Sequence, residues 1–227
     1  MTTRHTISHA DELYHGKAFL DGYSPDGRRG AILSHLVAVN LGAPDTSDTD
    51  GICDGTTVAT DAATAITLLT DTLDVPRNLI VDSSDDTEVD GVVTITGTDV
   101  HGQVMVEEIT ANGTTAVAGK KAFSGLTTIS VAACTSAGTI DIGWGDVFGL
   151  PYRVDNKRDI YSPQADGSVE DFTVVVADTD QDATAGDARG TIVPTTTAND
   201  VVNFSCLIHL PDLSTKEAVF GYDQYSG

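Results

Sequence analysis

The chain of 227 residues carries 34 acidic against 12 basic side chains, a formal net charge of -22, and 40% of its residues are hydrophobic. That length suffices for one large β domain or two small ones, either of which buries a core without staples. The charge speaks against direct nucleic-acid binding, because each phosphate contact needs a Lys or Arg and the basic doublets are limited to Arg28-Arg29 and Lys120-Lys121.

Of the acids 28 are Asp and 6 are Glu, so the turn former far outnumbers the helix former and a protein of many turns is expected. Cys53, Cys134 and Cys206 are odd in number and widely spaced, which favours three buried thiols over a disulfide framework. The first residues, MTTRHTISHADELYHG, lack an apolar signal core, and no stretch approaches a membrane span. A soluble chain made in a cytoplasm, with no membrane partner, is the expectation, so Asn112-Gly113-Thr114 and Asn203-Phe204-Ser205 read as chance matches to a glycosylation pattern.

In chain order, residues 1–55 read as an irregular N-terminal arm and linker. Ser24-Pro25-Asp26-Gly27 signals a turn, the apolar run Ala31 to Leu41 favours strand, and Ala43 to Gly55 reads as a loop. Residues 56–154 read as a β domain. Thr56 to Leu73 favours strand over a helical alternative, and Pro76 is expected to end either element. Strands follow at Asn78 to Asp82, Gly91 to Thr98 and Gln103 to Thr110. The last two form an antiparallel hairpin around Asp99-Val100-His101-Gly102, with Met105, Glu107 and Ile109 on one face and Val104 and Val106 on the other. Thr127 to Ala132 and Thr139 to Ile142 complete this part. Residues 155–227 read as a C-terminal β segment with strands at Phe172 to Ala177, Gly190 to Val193 and Val201 to Leu210, possible as part of the same body. Turn signals about every ten residues fit an all-β, mainly antiparallel sandwich or barrel-like body with an irregular N-terminal arm.

Chemistry-bearing patterns are few. GTIDIGWGDVFGLPYRV has glycines 143, 145 and 149 at GxGxxxG spacing, with Pro151 where a helix would gain its first turns; a dinucleotide loop needs GxGxxG opening a helix. A tight β corner, with Trp144, Phe148, Leu150 and Tyr152 sealing a domain end around a buried Trp144, is the reading adopted. Asp178, Asp180 and Asp182 begin like a calcium loop, but Ala183 replaces the turn glycine and Arg189 the bidentate Glu; Asp48-Thr49-Asp50-Gly51 lacks a downstream Glu. Solvated acidic turns account for both. His5, His9 and His15 lack a fourth zinc ligand, and His35, His101 and His209 stand alone. There is no GxSxG elbow, no HExxH and no cysteine in a protease context. No catalytic, cofactor-binding or metal-ligating residue is therefore assigned, and no enzyme activity is expected.

PRNLIVD (Pro76 to Asp82), TITGTDVHGQVMVEEI (Thr94 to Ile109), KAFSGLTTISV (Lys121 to Val131) and GTIDIGWGDVFGLPYRV together resemble a recurring pattern of tailed-bacteriophage virion proteins. The resemblance covers roughly residues 74–154 and contains no catalytic motif. It implies a small β-rich virion component, with capsid decoration (cement) protein as the role that best suits the chain. That role means a homo-oligomer on the capsid surface, made in the host cytoplasm and bridging subunits of the major capsid protein through polyvalent contacts. The cations Arg4, Lys17, Arg28 and Arg29 would let the N-terminal end face an acidic shell. A tail tube, baseplate or fibre-associated protein is the first alternative, and a calcium- or carbohydrate-binding β module the second.

Overall fold

A computed structural model describes residues 17–23, 29–83 and 89–227. His5, His9, His15, the turn at Ser24-Pro25-Asp26-Gly27 and residues 1–16 and 24–28 of the expected arm and linker lie outside the described residues.

The fold is nearly all antiparallel β. In chain order the strands are β1 (Lys17–Tyr23), β2 (Arg29–Gly42), β3 (Asp48–Val58), β4 (Thr64–Ile66), β5 (Thr72–Asp82), β6 (Val92–Thr98), β7 (Val104–Thr110) and β8 (Val117–Ala118). They continue as β9 (Phe123–Val131), β10 (Gly138–Gly149), β11 (Ile160–Ala165), β12 (Ser168–Val169), β13 (Phe172–Val175), β14 (Thr191–Pro194) and β15 (Phe204–Leu210). A five-residue helix, α1 (Lys216–Phe220), is capped by Thr215, whose hydroxyl accepts from the Ala218 amide at 3.1 Å.

The strands build two sheets. The smaller has the order β1-β2-β15-β11-β12; the larger runs β13-β14-β10-β5-β9-β6-β7, with β3 added on β10, β4 on β9 and β8 on β5. The strands expected at Ala31 to Leu41 and through the β6–β7 hairpin are present, the hairpin in the register Thr98↔Val104 to Val92↔Thr110. Inward Met105, Glu107 and Ile109 alternate with exposed Val104, Glu108 and Thr110, while Val106 is covered from its other side.

Two apolar cores result. The first gathers Ile52, Leu79, Val81, Val93, Ile95, Met105, Phe123, Ile140 and Ile142 within the larger sheet. The second joins the two sheets through Val39, Phe148, Leu150, Phe172, Ile192, Phe204, Cys206 and Ile208. β10 belongs to both, since Ile140 and Ile142 point into one and Phe148 into the other.

Four local expectations are corrected. Ala43 to Gly55 is loop only over 43–47, because β3 begins at Asp48 and pairs with β10. Thr56 to Leu73 is neither one strand nor a helix: it holds the end of β3, the short β4 and the start of β5. Pro76 ends nothing and sits inside β5, between the pairs Thr72↔Gly125 and Arg77↔Phe123, where the extra β5 residues bulge out of the ladder and no amide is needed from it. The glycine-rich segment is no corner, since Gly143, Gly145 and Gly149 all lie within the twelve-residue β10. Their lack of a side chain admits neighbours: a Cβ on Gly143 would collide with the Asp48 carbonyl, and one on Gly145 would lie 2.6 Å from Asn78 Oδ1.

Candidate functional site

The described residues place an unusual number of charges indoors. Arg77, Lys121, Glu107, Asp99, Asp187 and Arg189 are all buried, along with Asn78 and Gln224. Charged groups stay inside only when paired or hydrogen-bonded, so the arrangement of each is the first thing to settle.

Arg77 leaves β5 beside the bulge at Pro76. Its Nε donates to the Gly145 carbonyl (2.8 Å), Nη1 to both oxygens of Asp74 (3.0 and 3.2 Å), and Nη2 to the Asp45 carbonyl (3.1 Å) and Asp146 (3.2 Å). The guanidinium also lies 5.3 Å from the Phe148 ring centroid. Burial outweighs this cation at Asp146 and holds its carboxyl above the usual range. Next to it, Asn78 ties β5 to β10 and to the β8–β9 loop by accepting from the Val147 amide and donating to the Gly119 carbonyl.

The turn at Asp99 does more than reverse the chain. Its Oδ1 accepts from the His101 and Gln103 amides, and its Oδ2 takes a 2.7 Å bond from Arg189 Nη2, an ion pair with both side chains essentially out of water. Arg189 Nε donates to the Leu150 carbonyl at 3.1 Å. The hairpin turn is thereby pinned to the end of β10 and to the loop that precedes β14.

A third group covers the outer edge of β7. Lys121 Nζ donates to the carbonyls of Val106 (2.8 Å) and Asp182 (2.7 Å) and lies 5.5 Å from the Tyr225 ring. The Val106 amide donates to the Tyr225 carbonyl and the Glu108 amide to the Ala183 carbonyl, so the edge strand's polar groups are taken up by the C-terminal tail and by the 178–187 loop. Glu107 Oε1 accepts from the amides of Lys120 and Lys121, but its buried Oε2 has no partner. Burial pushes the Glu107 carboxyl up to about 7 against those two amides and the nearby ammonium. Burial also raises Asp187, although Ala122 N, Arg189 N and Gln224 Nε2 all donate to it, and lowers the Lys121 ammonium.

Several of these groups lie in the sequence segments quoted above, Arg77 and Asn78 in PRN, Asp99 in TGTD, Lys121 in KAF, Asp146 in GWGD and Leu150 in GLPYR, whereas Asp187 and Arg189 lie outside them. Their glycines serve the same packing. A Cβ on Gly97 would strike the Gly125 carbonyl, and one on Gly149 would lie 2.6 Å from Ala122. Comparison with protein-family models, curated proteins and solved structures finds no significant match.

The remaining sequence candidates fall into place individually. Trp144 is half-buried rather than buried, donates from Nε1 to the Thr46 carbonyl at 3.0 Å and packs on the first core, while Phe148 and Leu150 belong to the second. The expected aromatic seal is thus two separate contacts, since the register of β10 against β5 shifts between Trp144 and Phe148 and breaks the regular alternation. Asp178 accepts from the amides of Asp180 and Gly186, Asp182 from Thr184, and Asp48 from Asp50; these turn bonds hold Asp178 and Asp182 below the usual carboxylate range, and the Asp50 side chain, then its amide, does the same for Asp48. Among the described residues no group of three His, Cys, Asp or Glu side chains is placed to hold a metal ion, and no helix is long and apolar enough to cross a membrane. His101 bonds the Pro151 carbonyl at 2.8 Å and His209 meets Asp159 at 3.1 Å. Cys53, Cys134 and Cys206 are free and buried.

A cleft of about 210 Å³ is lined by His101, Gln103, Arg189, Lys216, Phe220 and Gly221. It is smaller than the roughly 300–1,000 Å³ typical of small-molecule sites. Its cations are already engaged, Arg189 by Asp99 and Lys216 by Asp223 at 3.0 Å.

Proposed function

We propose that the chain is a non-enzymatic virion structural protein that decorates and stabilises a phage capsid by bridging subunits of the major capsid protein, as a homo-oligomer on the shell surface. One observation supports this reading above the others. Arg77, Asn78, Asp99 and Lys121 of the quoted segments are engaged in buried ion pairs and hydrogen bonds, some with partners outside those segments such as Arg189 and Asp182, beside close glycine contacts and a covered strand edge, and among the described residues they leave no convergent set of free reactive groups. Such a pattern suits a protein whose task is to hold a shape on a repeating lattice. The acidic surface suits a component that must remain dispersed at high concentration until it meets the shell.

The test is depletion. Particles assembled without this protein are compared with complete ones for shell density and for resistance to heat and osmotic shock. The reading expects intact tails on shells that lose surface density and rupture earlier; unchanged shells with defective tails would instead make it a tail component.

A further inference from the structure

The outward face of the smaller sheet presents apolar side chains with no Asp or Glu on the strands around them, on a chain of net charge -22. Across β2, β15 and β11 the register aligns Leu36 with His209, Ala38 with Leu207, Leu207 with Tyr161, and Asn40 with Ser205. Leu36, Leu207 and Tyr161 expose 42%, 37% and 49% of their surface, and Ala38 is exposed between them. Their strand neighbours Val37, Val39, Cys206 and Ile208 point the other way into the second core, so the outward set is not available to that core. No Asp or Glu occurs in residues 35–42, 160–165 or 204–210, although roughly one residue in seven of the chain is acidic. Asp159, which directly precedes β11, is mostly covered and held by His209.

We propose that this face is where a second copy of the chain docks, sheet face against sheet face. The charge distribution selects the occupant. Two copies at -22 each repel wherever their carboxylates meet, and this face is a place where they can approach without that cost. A basic partner would be drawn to the acidic remainder instead. The exposed Tyr161 ring also matches the aromatic enrichment of interface centres, and the face lacks the Lys, Glu and Asp depleted there.

The area sets the strength. Three strands about 4.8 Å apart and seven residues long at about 3.4 Å each present a footprint of about 350 Å². This footprint stays well below the roughly 800 Å² per partner of a standard interface, so the association is weak, reversible and concentration-dependent. The inference deepens the homo-oligomeric part of the proposed function and rests on it only there, because capsid binding does not enter the test.

Sedimentation velocity of the full chain over a dilution series, at low salt and near 1 M salt where the Debye length is about 3 Å, reads the association directly. The expected result is a mass that rises above 23.6 kDa with concentration and rises more at high salt. Leu207→Lys and, independently, Ala38→Lys weaken association at least tenfold, even though each lowers the net negative charge and so reduces general repulsion. Leu69→Lys, at a 68% exposed position in the loop between β4 and β5, associates as the parent does. Circular dichroism confirms that each variant is folded; if one is not, the other carries the comparison. A monomer at every concentration and salt, or lysine variants that associate like the parent, would overturn the proposal.

Discussion

Replacing Glu107 by Gln isolates a buried carboxyl with one oxygen left unpartnered. The carboxyl is buried on the inward face of β7 between Met105 and Ile109, with Oε1 satisfied by two amides and Oε2 by nothing. Glutamine keeps the accepting oxygen and cannot ionise. In the unfolded chain Glu107 titrates near 4.5 and in the folded protein near 7, so folding takes up a proton between those values. A folded-state pKa raised in this way contributes stability that is complete below about pH 4.5 and is lost as pH rises through about 7. The displacement corresponds to about 3 kcal/mol in full, of which about 2.5 kcal/mol falls between about pH 5 and pH 8. Urea unfolding of both proteins across that range, followed by circular dichroism, gives the comparison. Parent and variant should differ in the slope of stability against pH, the parent falling by about 2.5 kcal/mol more, because Asp187 and the other titrating groups are common to both. Parallel curves would refute the reasoning, and a parent that gains stability with pH relative to the variant would reverse its sign.

Other consequences are equally direct. Arg77→Met should lower stability by about 3 kcal/mol in urea, toward the smaller end for a broken buried ion pair, because Asp74 and Asp146 keep about a quarter of their surface in water. Gly143→Ala should prevent folding or cost at least about 2 kcal/mol, since the Asp48 backbone cannot yield to the new methyl group, whereas Gly102→Ala, with φ of +75° and open space around it, should cost about 1 kcal/mol by thermal melting. Removing residues 222–227 should uncover the Val106 amide at the β7 edge and make the protein scatter light at concentrations where the full chain does not. Burial lifts the Cys206 thiol to about 11, so at neutral pH its alkylation should proceed no faster than unfolding, as followed by mass spectrometry in increasing urea.

How far the sequence reveals this molecule depends on the range of the interaction. The β6–β7 hairpin is legible because its turn and its alternation are local, and the inward position of Glu107 beside Met105 and Ile109 follows from the same period of two. Asp99 is legible as a turn residue but not as the partner of Arg189, ninety residues away. Pro76 misleads because proline ends a strand only where the ladder needs its amide, and the bulge on β5 removes that need. The glycines of β10 mislead in the same way: they stand for close approach by Asp48, Asn78 and Ala122, contacts that exist only once β3, β5 and the start of β9 are assembled. β11 and β12 escape because Ser, Pro and Gln interrupt the β pattern there, and β15 supplies the pairing partner of β11. The apolar face on the smaller sheet is hidden for the same reason, since Leu36, Leu207 and Tyr161 become neighbours only through strand register.

The reading as a shell component is tested most directly by locating the protein in purified particles. Cryo-electron microscopy of particles carrying this chain with a small tag at its C-terminus, next to untagged particles, should show added density repeated over the outer surface of the capsid lattice. Added density confined to the tail tube, baseplate or fibres would contradict the account, as would particles that contain none of the protein.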